Sequence, residues 1–127
     1  MNNKINYIHP LSSEDLSEIL YHSNQKGIHR FTPIGFPVHL AVHRVDCIDL
    51  QSNRYVDAHY HNHPEINIIL PFDENLTYEI QIDEEKHIIK KPSAIWIPAK
   101  TKHAANLIHG KGFFICIVLS EVYDAFI

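Results

Sequence analysis

The residues best equipped for chemistry lie close together. His59, His61, His63 and Glu65 fall within seven positions of the stretch VDAHYHNHPEINIIL, residues 56–70. Imidazole nitrogens and a carboxylate oxygen are the donors that borderline divalent metals accept. Residues two apart on a strand share a face, so His59 and His61 are able to aim at one point. A further donor must come from elsewhere, and His103, in WIPAKTKHAAN (residues 96–106), is the best candidate. On a straight strand His59 and Glu65 would stand roughly 20 Å apart at ~3.3 Å per residue. Sharing an ion therefore requires the chain to fold back near Asn62–Pro64, and Pro64 supplies the break. The same bend turns His63 away, so it is expected at a pocket rim or on the surface. A solvated strand face in a histidine-rich chain also yields HxH pairs; Glu65 shifts the balance toward a metal.

Composition narrows the field. Eleven histidines equal the combined count of lysine and arginine, and the formal net charge is −4. The densest basic stretch, Lys86–Lys91, is interrupted by His87 and two isoleucines, so a phosphate-tracking surface and a nucleic-acid partner are not expected. No apolar run nears the ~20 residues that span a bilayer, and MNNKINYIHP has no apolar secretory core, so a cytoplasmic protein without a membrane partner is expected. Cys47 and Cys116 sit among apolar neighbours and are expected as free buried thiols. Neither has a local histidine activator, no serine occupies a nucleophile elbow, and no glycine-rich phosphate loop is present.

One domain is expected from 127 residues, with residues 1–30 as arm and helix and 38–119 as the barrel core. LSSEDLSEILYHSNQKG offers the one helix: Ser12 as cap, Asp15 at the capping-box distance, and a stripe of Leu16, Ile19 and Leu20. HRFTPIGFP reads as an irregular connection. Alternating or apolar patterns then predict strands at 38–47, 54–61, 66–70, 76–82, 86–90, 94–97, 104–108 and 113–119, with His109-Gly110-Lys111-Gly112 as a turn. His39 and His43 are interleaved with apolar residues of the first strand and are minor pocket candidates, while His9, His22, His29, His87 and His109 read as surface or packing residues. Short strands at even spacing, without βα alternation, favour an all-β antiparallel sandwich or barrel.

These segments resemble the two motifs of the cupin superfamily. The first, approximately G(X)5HXH(X)3,4E(X)6G, is matched by His59, His61 and Glu65, with Asn53 and Phe72 where its glycines stand. The second, approximately G(X)5PXG(X)2H(X)3N, is matched by Pro98 and His103; Pro92 and Lys100 replace its glycines and Asn106 comes one residue early. The resemblance implies a jelly-roll-like double-stranded β-helix barrel, commonly a homodimer, with a metal inside the barrel mouth. It implies His59, His61, Glu65 and His103 as the metal ligands.

Three imidazoles and a carboxylate leave one or two open positions on a five- or six-coordinate ion. One divalent transition metal is expected, Fe(II) slightly ahead of Mn(II), Ni(II) and Zn(II). The expected function is a metal-dependent enzyme acting on a small polar metabolite, a dioxygenase first and a non-redox isomerase, lyase or cyclase next. A non-catalytic small-molecule sensor is the alternative. Tyr78 and Asp57 are the candidate catalytic groups; Arg44, Tyr55, His63 and Trp96 are the candidate pocket residues.

Overall fold

The computed structural model describes residues 6–47, 55–72 and 75–127. Residues 1–5 of the expected arm, Asn53 of the first motif and Arg54 lie outside them. Eight strands follow in chain order: β1 Leu11–Glu14, β2 Ile28–Pro33, β3 His39–Cys47, β4 Glu65–Pro71, β5 Thr77–Ile82, β6 Glu85–Ile89, β7 Ser93–Ile97 and β8 His103–Val118. Every pairing among them is antiparallel, as the alternating patterns predict.

The longest strand closes the structure. The first half of β8 pairs with β5, from Ile82 opposite His103 to Thr77 opposite His109. Its second half lies between β3 and β4, in the order β1-β2-β3-β8-β4-β7. One strand thus belongs to both walls and wraps the sheet around a core that includes Tyr55, Ile69, Leu76, Tyr78, Ile80 and Phe114.

The expected turn at 109–112 is absent because those glycines serve close approach instead. A Cβ at Gly110 would stand 2.4 Å from the Asn75 carbonyl oxygen, and one at Gly112 would stand 2.3 Å from that of Leu70. Only a residue without a side chain lets neighbouring backbone pass there.

The expected helix is also replaced. Residues 11–14 form β1, and only Leu16–Glu18 makes a single 3₁₀ turn. Asp15, not Ser12, caps it, accepting from the Ser17 amide at 3.1 Å. Ile19 is already extended, with φ −98° and ψ 134°. A short segment rich in Ser and Asp has little intrinsic helicity, and pairing with β2 captures it. Leu16 is buried while Leu20 is exposed, so the apparent stripe never faces one surface. The segment read as irregular supplies that partner: β2 runs through Ile28–Pro33 between β1 and β3. Conversely, the described part of the expected strand at 54–61 contributes only isolated bridges at Val56, His59 and Tyr60.

Candidate metal centre

Two chain segments are stitched together where the motif histidines meet. The His59 amide donates to the His103 carbonyl at 3.0 Å, and the His103 amide returns the bond at 2.8 Å. Asn106, three residues along β8, accepts from the amides of Tyr55 and Val56 at 2.9 and 3.0 Å and donates to the Val56 carbonyl at 3.0 Å. That amide fastens the approach to His59 onto β8. Beyond His61 the chain bends at Asn62 and His63, then enters β4 at Glu65. The fold-back that a common centre requires is present.

His59, His61 and His103 are buried, and one ring nitrogen from each lies within 4.8 Å of the others. In all three rings Nδ1 is committed to a backbone carbonyl: Asp57 at 2.7 Å, Asp124 at 2.5 Å and Thr101 at 2.8 Å respectively. Such a bond makes Nδ1 the donor and leaves Nε2 as a bare acceptor, the tautomer that ligates a metal. Glu65 Oε1 lies 3.0 Å from His61 Nε2 and 3.3 Å from His103 Nε2. Despite those distances, neither Nε2 has a satisfactory hydrogen-bond partner. A lone pair facing a carboxylate oxygen inside a protein requires a cation between them, a proton or a metal ion. The donors therefore fit a divalent metal. Ligand atoms at ~2.1 Å on a tetrahedral or octahedral ion stand roughly 3 to 3.4 Å apart, so binding would draw the rings together.

Burial holds the His59 imidazole down to about 4, keeping it neutral. Burial alone would raise Glu65, but His103 and His61 outweigh it and hold the carboxyl well below the usual range. For His103 burial is the largest single influence and works downward, but the Glu65 carboxylate and the Thr101 carbonyl together leave it raised. Asn67, on the same face of β4 as Glu65, donates to Glu65 Oε2 at 2.7 Å and orients it. Cys116 carries a free thiol, held protonated by burial and by the nearby Glu65 charge.

The other candidates are placed differently. Tyr55 and Tyr78 are buried with their hydroxyls 3.1 Å apart, and Tyr78 stacks on Phe114; neither lines the chamber beside the cluster. Asp57 is exposed and contributes its backbone carbonyl to His59. Arg44 is exposed on the strand face opposite His43, His63 is exposed in the bend, and Trp96 is 56% exposed on β7. The chamber, about 30 Å³, is instead walled by residues including His22, Arg30, His39, His43, Cys116 and Tyr123. Period-two spacing from Glu65 could have flagged Asn67, and the β3 alternation did flag His39 and His43. Arg30 and Tyr123 carried no local signal.

No family profile and no curated protein matches the chain. Solved structures do match. An RmlC-like cupin from Shewanella frigidimarina aligns at 12% identity and TM-score 0.59, covering 87% of this chain and 86% of that one. KdgF from Halomonas sp. aligns at 19% and 0.57, covering 85% and 91%. This chain has the cupin fold. The barrel is likewise similar to Pac13 of Streptomyces, described as a nucleoside dehydratase, at 10% identity and TM-score 0.61 over 94% and 86% of the two chains. Identities this low establish the cupin architecture and leave chemistry to the site. Among the described residues, no helix is long and apolar enough to cross a membrane.

Proposed function

We propose that this protein is a metal-dependent enzyme acting on a small polar metabolite, with His59, His61, His103 and Glu65 holding one divalent transition metal. The observation that carries the reading is the shared pattern of the three imidazoles. Each spends Nδ1 on backbone; His61 and His103 turn Nε2 toward the buried Glu65 carboxylate, and His59 brings a ring nitrogen within 4.8 Å of theirs. A bound ion supplies Lewis-acid or redox chemistry at an exchangeable position. The protein's own part is to hold the rings in one tautomer, to orient Glu65 through Asn67 and to keep bulk water out of the chamber. The protonated Cys116 thiol is not a competing nucleophile.

Oxygen-dependent chemistry on Fe(II) comes first. The donor set suits that ion, and about 30 Å³ beside it admits roughly two water-sized groups, enough for a diatomic. A non-redox lyase or isomerase reaction is the second reading, favoured by the likeness to a barrel described as a dehydratase.

Metal analysis of protein purified without a histidine tag is the first test. Anaerobic reconstitution with Fe(II), Mn(II), Ni(II) or Zn(II), then a metabolite-pool turnover screen with and without O₂, is the second. Oxygen uptake with product formation supports the first reading, and oxygen-independent turnover supports the second. Saturable binding without conversion would replace both with a sensing role, and failure to bind any of the four ions would remove the metal.

A further inference from the structure

The chamber holds one full charge that the metal reading does not use. Arg30, on β2, is only 3% exposed. Its Nε donates to Glu14 Oε1 at 2.9 Å, Nη1 to His43 Nε2 at 3.0 Å, and Nη2 approaches His39 Nε2 at 3.4 Å. These three contacts fix the guanidinium plane while using three of its five N–H donors. The Glu14 carboxylate meets Nε, whereas the Nη1/Nη2 edge meets His43 and His39, two walls of the chamber shared with His59, Glu65 and His103. Glu14 takes only Nε–H and each histidine one Nη–H, so one N–H on each Nη is left for a visiting carboxylate.

The charges agree with an anionic visitor. Burial, reinforced by Arg30, holds His39 down to about 4 and His43 well below its ordinary value, so both are neutral at pH 7. Formally, a divalent ion and Arg30 contribute three positive charges against two negative from Glu65 and Glu14. One monoanion restores neutrality.

The geometry points to Arg30 as the specificity residue of the site, offering its unspent Nη N–H donors to a carboxylate whose other end, or a neighbouring oxygen, reaches the metal. This assignment rests on the metal reading above and deepens it: the substrate class is a small carboxylic acid. A chamber of about 30 Å³ takes only the acid head. The remainder would have to pass His39 and Tyr123, the two rings that also wall an outer groove of about 560 Å³ lined in part by Ile19, Phe36 and Leu40.

A purely structural account is that Arg30 and Glu14 only staple β2 to β1. The two accounts differ in sign. If Glu14 competes with a visiting carboxylate for the guanidinium charge, Glu14→Gln strengthens anion binding; if Glu14 merely clamps, its loss weakens binding or leaves it unchanged.

The experiment loads the full chain with Co(II) and follows its visible absorption during titration with pyruvate or its neutral amide, pyruvamide. Pyruvate is expected to act at a midpoint about tenfold lower, as one charge-assisted hydrogen bond provides. Arg30→Met should keep Co(II) and lose that preference, and Glu14→Gln should lower the pyruvate midpoint several-fold. Equal midpoints for acid and amide in the wild type, or a raised or unchanged midpoint in Glu14→Gln, overturn the assignment while leaving the metal site standing. No Co(II) uptake by the wild type overturns both. The wild-type pair and Glu14→Gln decide the matter if Arg30→Met does not fold.

Discussion

Two histidine groups share one barrel and have opposite electrostatic designs. Around Glu65, the rings of His61 and His103 point uncommitted Nε2 lone pairs at an anion, with His59 beside them. Around Arg30, His43 turns Nε2 toward a guanidinium, and His39 does so more loosely. The first group is built around a carboxylate and suits a cation; the second is built around one, the Arg30 guanidinium. Both groups contain buried imidazole, His43 in the second as in the first, so burial by itself does not distinguish a metal site from a structural network. The distinction lies in what the second nitrogen of each ring faces.

That contrast breaks most directly at the ligands. His61→Ala or His103→Ala should reduce metal affinity by more than ~100-fold, the upper range for losing even a supporting partner, read by metal content after dialysis against a chelator. His63→Ala, in the exposed bend, should retain most of it. Equal losses in all three would mean that the centre does not lie where the fold brings these rings together.

Next in size is the reverse experiment on the second group. His43→Ala strips a buried partner from Arg30 and leaves a void, a change worth about 2–4 kcal/mol. Urea unfolding should register it while metal content stays near the wild-type value. Metal loss matching that of His103→Ala would show the two groups to be one functional unit.

Asn67→Ala tests orientation without removing a donor. Its bond to Glu65 Oε2 should be worth roughly tenfold in metal affinity, measured by competition with a chromophoric chelator. An unchanged affinity would mean that packing alone orients Glu65.

The smallest effect is in acid. His39 is held from its ordinary 6.5 down to about 4. Between those values the unfolded chain binds a proton that the native protein does not, so His39 lowers native stability as pH falls through that window. Metal-free wild type should therefore lose stability relative to His39→Gln between pH 6.5 and about 4, with the gap levelling off below. A constant difference in urea midpoint across that range would show that Arg30 and burial do not suppress protonation of His39.

The primary donors were legible because they lie in compact motifs. HxH, a bend and a carboxylate stand together from His59 to Glu65, and Pro98 announces the corner before His103. Of the strands that carry them, β4 was legible from its apolar run, whereas β8 read as two strands with a turn between. Failures fell where a segment's conformation depends on its partner. Residues 11–20 have a helical pattern on paper, yet Glu14 is drawn into β1 opposite Arg30. Gly110 and Gly112 look like a turn, but they admit neighbouring backbone against a continuous strand.

By itself the sequence determined the β-rich architecture, the placement of the motif histidines and the kind of donor available to an ion, since these follow from residue type and local period. Only the tertiary structure decided which ring nitrogens are free, that Asn67 steadies Glu65, and that Arg30, Tyr123 and three further histidines wall the same chamber. Hydrogen-bond direction and burial arise when distant strands meet. The Asn67–Glu65 bond is local, but Arg30 and His43 stand 13 residues apart and His61 and Asp124 63 apart, so no short window along the chain contains both partners of those contacts.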